Sequence, residues 1–328
     1  MIKSYIEVLK IINDNENITQ RKIASDINIS LGKVNTIINK MIDEKHIYTV
    51  KKNNRDVRYE LTTNGVEILE KALEKIKSTK LEINKNHFNK VKQAVILAAG
   101  STLDFNHPVG FLDVNGEKVI DRIVKLLEDN GIEKIIIVTG YKSKFYDEYV
   151  KTKKNIFCVY NNKYNSVGNM KSLALAQKYI NDDFILIEHD LVFENIAVKK
   201  VLENSNRDCI LLSDISGSGD EAYVEIKDGY LFKMSKDIHQ FNRIDGEMIG
   251  ISKISYRLFC KMLSDFKRNE NQLMSYEYMI LDISRNYNIG YEKITPLIWG
   301  EIDNINQYKN ILNNIVPMIN KKEAIDKK

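Results

Sequence analysis

At 328 residues, 43% hydrophobic and 29% charged, the chain has the composition of a folded globular protein and enough length for two cores. No apolar run approaches the roughly 18 residues of a membrane span and the N-terminus lacks a signal-like apolar stretch, so no membrane partner and a cytoplasmic location are expected. Cys158, Cys209 and Cys260 are odd in number and widely spaced, so neither a disulfide framework nor a zinc site is expected.

Residues 1–90 carry 17 Lys and Arg against 12 Asp and Glu, and the remainder carries 32 against 33. The basic excess lies wholly in the N-terminal part, which suits a polyanionic partner. Residues 5–12 have apolar side chains at helical spacing, Thr19 caps a second helix ending in Asp26-Ile27-Asn28-Ile29, and Ser30 caps a third. In that third helix Leu31, Val34, Ile38 and Met41 to Ile42 form the expected buried stripe, turning Lys33, Asn35, Thr36, Asn39 and Lys40 outward. Two alternating runs, 46–50 and 57–61, flank the polar turn Lys51-Lys52-Asn53-Asn54-Arg55-Asp56 and predict a hairpin, after which 62–77 is again helical. Residues 1–77 thus resemble the winged helix-turn-helix domains of bacterial regulators. The resemblance implies double-stranded DNA as partner, met by Lys33, Asn35 and Thr36 of the third helix and by Lys51, Lys52 and Arg55 of the wing. A dimerisation or protein-contact module is the alternative. Residues 78–92, rich in Lys and Asn without an apolar period, read as a linker.

From residue 93 to 328 short apolar runs alternate with amphipathic ones. This predicts an α/β domain with a Rossmann-like mixed, mainly parallel sheet covered on both faces. Its first strand, Ala94-Val95-Ile96-Leu97, breaks into Ala98-Ala99-Gly100, where side chains nearly vanish and a phosphate-bearing ligand can approach the backbone amides. Neither the dinucleotide glycine fingerprint nor a Walker lysine loop is present, because Gly100 leads into Ser-Thr-Leu-Asp-Phe. Further on, strand 184–187 ends in Glu188-His189-Asp190, carboxylates at an edge where ligands and the hard cations that accompany phosphates bind. The last acidic group, Trp299-Gly300-Glu301-Ile302-Asp303, precedes a helix over 306–315 that Asp303 is spaced to cap.

The Leu97-Ala98-Ala99-Gly100 turn, the proline return at 108–112, Asp113-Val114-Asn115-Gly116, the amphipathic 119–129 and the strand 134–141 resemble nucleotidyltransferases that load a nucleoside monophosphate onto a phosphorylated alcohol or sugar. Later landmarks, Asn162-Lys163-Tyr164, Asn169-x-x-Ser172-Leu173 and Glu301-x-Asp303, are most similar to CTP:phosphocholine and aminoethylphosphonate cytidylyltransferases, over about residues 91–315. The resemblance implies CTP or another NTP and a small phosphorylated acceptor as substrates, with Mg²⁺ held by Asp190 and Asp303. It implies a nucleotide cradle of Leu97, Ala98, Ala99, Gly100, Asn169, Ser172 and Glu188, although Asn169 equally suits the cap of its own helix. It sets Lys236 against a phosphate as the catalytic cation, and Glu221, Glu247, Tyr276 and Glu277 around the acceptor. Taken alone, Lys236 reads as a surface lysine.

A phosphate monoester is already largely dianionic at neutral pH, so such a transfer needs no general base, only positioning and charge neutralisation. In the resembled loop an arginine shortly after the Leu-Ala-Ala-Gly turn and a lysine after the proline supply part of that charge. This chain has Leu103-Asp104-Phe105 and Val109 there. Either Lys142, Lys163, Lys171 or Lys236 compensates, or the acceptor is unusual, or the domain binds nucleotide without turnover. Three functions therefore stand open: a cytidylyltransferase, a transcriptional regulator that senses a nucleotide, and a sugar-1-phosphate nucleotidylyltransferase. A homodimer is also left open.

Overall fold

A computed structural model of the chain describes residues 2–15, 18–53, 56–78, 90–101 and 104–326; Arg55, Leu103 and residues 79–89 of the expected linker lie outside them. The chain divides into two compact units, Met1–Lys85 and Asn86–Lys328.

In the first unit α1 (Ile2–Asp14), α2 (Gln20–Asp26) and α3 (Leu31–Asp43) precede the antiparallel hairpin of β1 (Ile47–Asn53) and β2 (Asp56–Leu61), and α4 (Thr63–Ser78) follows. The side-chain oxygens of Thr19 and Ser30 accept the N–H groups of Lys22 and Lys33, each at 3.3 Å, and so start α2 and α3. Val8, Leu9, Ile23, Val34, Ile38 and Met41 meet in one apolar core. The stripe of α3 departs from expectation at two positions: Leu31 is 44% exposed, whereas Ile37 is buried. The first turn, from Ser30 to Lys33, faces solvent throughout, so the inward face begins only at Val34.

The second unit runs β3 (Gln93–Ala98), β4 (Asp113–Val114), β5 (Glu117–Lys118), α5 (Val119–Asp129), β6 (Lys134–Thr139), α6 (Lys144–Val150), β7 (Ile156–Tyr160), α7 (Asn169–Leu175), β8 (Phe184–Glu188), β9 (Leu191–Phe193) and α8 (Asn195–Glu203). It continues with β10 (Cys209–Ser213), β11 (Tyr223–Lys227), β12 (Tyr230–Ser235), β13 (Gly246–Ile254), α9 (Tyr256–Arg268), α10 (Tyr276–Ser284), β14 (Gly290–Lys293), β15 (Trp299–Glu301), α11 (Ile305–Asn310) and α12 (Val316–Asp326). Among the described residues nine strands form one sheet in the order β12-β11-β13-β8-β3-β6-β7, with β10 beside β13 and β14 beside β10.

Strands β8, β3, β6 and β7 are parallel, and β13 runs antiparallel to β8, β10 and β11. The apolar run of β3 is continuous because both faces of the sheet are covered. Ala94, Ile96 and Ala98 pack with α5 and α8, while Val95 and Leu97 pack with α7, α9 and α10. Burying each larger side chain of this kind contributes roughly 1.5–3 kcal/mol relative to exposure. In register, Leu97 lies opposite Val138 and Glu188, so the ends of β3, β6 and β8 open at one edge. Among the described residues no helix is long and apolar enough to cross a membrane.

Candidate active site

At the carboxyl edge β8 ends on Glu188, and the chain turns through His189 and Asp190 into β9. Strand β15 pairs antiparallel with β9, with Glu301 opposite Leu191, and the N–H of Ile302 donates to the Asp190 carbonyl at 3.0 Å. One carboxylate oxygen from each of Glu188, Asp190 and Glu301 lies within 4.8 Å of the other two. Oδ1 of Asp190 is buried and accepts no hydrogen bond. Gly250 of β13 makes the space, since a Cβ there would stand 2.3 Å from Oε2 of Glu188. Burial, then the charges of Asp190, Asp303 and Asp220, push the Glu301 carboxyl up to about 9. Burial and the neighbouring Glu277, Asp190 and Glu301 hold Glu188 well above the usual carboxylate range. Crowded oxygen donors with one oxygen unpartnered fit a hard divalent cation, whose charge would favour their ionised forms.

Asp303 stands outside this trio. Gln307 Nε2 donates to its Oδ2 at 3.3 Å, and burial together with Asp190 raises its carboxyl. Nor does it cap α11: Oδ1 of Asn304 does, accepting the N–H groups of Asn306 and Gln307, each at 3.0 Å.

At the end of β3 Leu97, Ala98 and Ala99 are buried and Gly100 is exposed. The Ala99 carbonyl accepts the N–H of Tyr141 at 3.0 Å. Asp104, at the place of the resembled arginine, accepts the N–H of Ile305 at 3.0 Å and ties its loop to the start of α11, where a carboxylate is favoured. The Tyr308 hydroxyl donates to the Asp113 carbonyl at 2.5 Å, and Lys142 Nζ donates to the Asn106 carbonyl. Ser172, expected in the nucleotide cradle, is buried, and its Oγ accepts from Nδ2 of buried Asn161 at 3.0 Å. Asn169 does not cap its own helix, since Gly168 occupies that position. Its Oδ1 accepts the N–H of Tyr276 at 2.7 Å, and its Nδ2 donates to Oε1 and Oε2 of Glu277 at 3.2 and 3.4 Å.

Beside the trio is a cavity of about 90 Å³ lined by Glu188, Asp220, Lys236, Glu247, Tyr276, Glu277, Trp299 and Glu301, among others. Lys236 Nζ lies 2.7 Å from both oxygens of Asp220. Glu247 accepts from the N–H and hydroxyl of Ser216 at 2.7 and 3.2 Å. Glu221 is buried and off the cavity lining, accepting from Gly219 N–H and the Tyr223 hydroxyl, both at 3.2 Å; its neighbour Asp220 takes its place. Sequence reasoning singled out neither Asp220 nor Gly250, and it quoted Glu301 only as part of a motif. No local signal marks Glu301, because its place beside Glu188 follows from the pairing of β15 with β9.

In the first unit Lys33, Asn35 and Thr36 are exposed on α3, with the Thr36 hydroxyl donating to the Gly32 carbonyl at 3.0 Å. Lys51 and Lys52 fall in β1, and Arg55 lies outside the described residues.

Residues 94–224 match the profile of the MobA-like NTP transferase domain, and residues 6–45 match that of a winged helix-turn-helix DNA-binding domain. The choline-phosphate cytidylyltransferase of Haemophilus influenzae is 24% identical over 235 residues, 68% of this chain and 97% of that one. The bifunctional IPC transferase and DIPP synthase of Thermococcus kodakarensis is 24% identical over 231 residues, 69% of this chain, which spans only 51% of that protein. The solved inositol-1-phosphate CTP transferase from T. maritima has the same fold, with a TM-score of 0.60 at 19% identity over 70% of this chain and 95% of that one. The chain joins a winged helix-turn-helix domain to a MobA-like NTP transferase domain, with cytidylyltransferases among its relatives.

Proposed function

We propose that the second unit is a Mg²⁺-dependent cytidylyltransferase that transfers CMP from CTP to a small phosphorylated amino alcohol or phosphonate, phosphocholine or aminoethylphosphonate, and releases pyrophosphate. The convergence of Glu188, Asp190 and Glu301 beside the end of β3 carries this reading. An acceptor oxygen attacks the α-phosphorus, the bond from that phosphorus to the bridging oxygen breaks, and pyrophosphate leaves with the electron pair. The attacking oxygen of a phosphate monoester is already ionised, its second pKa being about 6, so no side chain takes a proton.

The chain's own contribution is position and charge. Glu188, Asp190 and Glu301, with Asp303 close by, would hold Mg²⁺, which when bound neutralises phosphate oxygens. The exposed Gly100 leaves room for phosphates beside the strand end. Lys236 exchanges Asp220 for the acceptor phosphate. Lys142, tethered to the Asn106 carbonyl, brings a cation to the loop that lacks its arginine and lysine. The winged helix binds double-stranded DNA through Lys33, Asn35 and Thr36, with wing lysines on the phosphate backbone.

The second reading is a nucleotide-sensing regulator without turnover, favoured by Asp104 and Val109 at positions where the resembled enzymes carry cations. Pyrophosphate release with Mg²⁺ and each of the four NTPs, against phosphocholine, aminoethylphosphonate and glucose-1-phosphate, separates them. Release with CTP and one amino acceptor, lost in Asp190→Ala, supports the first. CTP binding without release supports the second, and release with glucose-1-phosphate alone makes the domain a sugar-1-phosphate enzyme. DNA affinity that falls steeply with salt is the corresponding test of the first unit.

A further inference from the structure

The turn before α7 and the turn before α10 are zipped together by their backbones. Gly168 N–H donates to the Gln272 carbonyl at 2.8 Å and Met170 N–H to the Met274 carbonyl at 3.3 Å. The approach leaves no room for a side chain at Gly168, where a Cβ would stand 2.2 Å from the Met274 oxygen. Within this zip both functions of the Asn169 amide cross to α10, 107 residues away at Tyr276. Ser275, the cap residue of α10, makes no side-chain capping bond, and Asn169 satisfies one of the free N–H groups of the first turn, that of Tyr276. Its Nδ2 meanwhile holds Glu277 by both oxygens. Tyr276 and Glu277 line the cavity with Glu188 and Lys236.

We infer that Asn169 is a positioning residue that fixes Tyr276 and Glu277 of the acceptor cavity to the loop framing the nucleotide, so that the two substrate sites order as one unit. The inference rests on the nucleotidyltransferase reading of the site. An amide that reads a cytosine edge presents its donor and its acceptor to the base; here both point to α10. Nucleotide settling on the 161–172 loop therefore stiffens the start of α10 through the Asn169 amide, added to the two backbone bonds of the zip. Acceptor affinity follows from that stiffening, while the choice of base rests elsewhere.

The test compares the full-length protein with Asn169→Asp, which keeps an oxygen for the Tyr276 N–H but sets a like charge beside Glu277, and Asn169→Ala, which removes both bonds. Hydrogen–deuterium exchange over residues 273–279 is followed with and without Mg²⁺ and CTP, alongside KM for each substrate. In the unsubstituted protein CTP slows exchange in that segment. In both variants the segment exchanges faster and the protection by CTP shrinks to the part the backbone zip carries, while exchange in β3 and β6 is unchanged and shows the fold retained. KM for the acceptor rises about tenfold or more, and CTP affinity stays within about threefold. Undiminished protection in both variants, a segment that CTP never protects, or a preference moving from CTP towards UTP overturns the inference. If the unsubstituted protein turns nothing over, the transferase reading falls, and the exchange data alone decide the coupling.

Discussion

The N–H of Ile302 meets the carbonyl of Asp190 at 3.0 Å, and this rung sets two Glu-x-Asp tripeptides, 188–190 and 301–303, side by side. Because the strand ends on Glu301, that residue joins Glu188 and Asp190, and Asp303 passes into the turn before α11. Glu301→Gln, which keeps shape and removes charge, is expected to lower catalysis by about 10²–10³ and to weaken Mg²⁺ binding in calorimetry. Asp303→Asn is expected to cost less. The reverse ranking would make Asp303 the principal ligand.

Gly250→Ala forces a methyl against the Glu188 carboxylate. Overpacking of this kind costs about 1–3 kcal/mol, and urea unfolding will register it. Adding Glu188→Ala to Gly250→Ala should restore the lost stability without restoring activity. If the double variant is no more stable than Gly250→Ala alone, the strain lies elsewhere in β13.

Ser172→Ala leaves Nδ2 of the buried Asn161 without its acceptor. A buried donor stripped in this way costs about 1–3 kcal/mol. The loss should appear in chemical denaturation, with CTP affinity falling only through the slackened loop. A large loss of CTP affinity at unchanged stability would return Ser172 to the nucleotide.

Lys253 is buried under α8, with Nζ donating to the carbonyls of Leu202 and Asn204 at 3.3 and 2.7 Å, and burial lowers its pKa below 10.5. Between the folded value and 10.5 the unfolded chain binds more protons than the folded one, so stability from this group rises with pH in that window. Lys253→Met should flatten that slope in unfolding curves taken as the pH approaches 10.5 from below. It should also lower stability near neutrality, because two carbonyls lose their donor. An unchanged slope would mean that Lys253 titrates normally.

Lys33→Ala should reduce the salt dependence of DNA binding by about one counterion. Asn35→Ala should instead change which sequences are preferred. Salt-independent association, or none with DNA, would leave the first unit as a protein-contact module.

Much of this organisation was legible locally. The run from Ala94 to Gly100 announces a buried strand ending in small residues, and Glu188-His189-Asp190 announces a strand that ends in carboxylates, because hydrophobic length and side-chain loss are properties of neighbours in sequence. Thr19 and Ser30 declare their helices for the same reason. Glu301 was not legible as the partner of Glu188, since its role depends on the register of β15 against β9, which neither segment contains. Asn169 misled for a related reason: a polar residue at a helix start suggests a cap, whereas its amide serves a helix that begins 107 residues later at Tyr276. Asp104 looked like a charge in the wrong place until the start of α11 was seen beside it.

The dependence of the carboxylate trio on β15 also sets an order of events during synthesis. Residues of the first unit emerge from the ribosome and can fold while the transferase unit is still being made. Glu301 follows the end of α4 by a delay of roughly 10–45 s at ordinary elongation rates. Until then Glu188 and Asp190 lack their third carboxylate, and the partly made chain has no complete trio. The winged helix-turn-helix unit can therefore be complete while the carboxylate trio of the second unit still lacks Glu301.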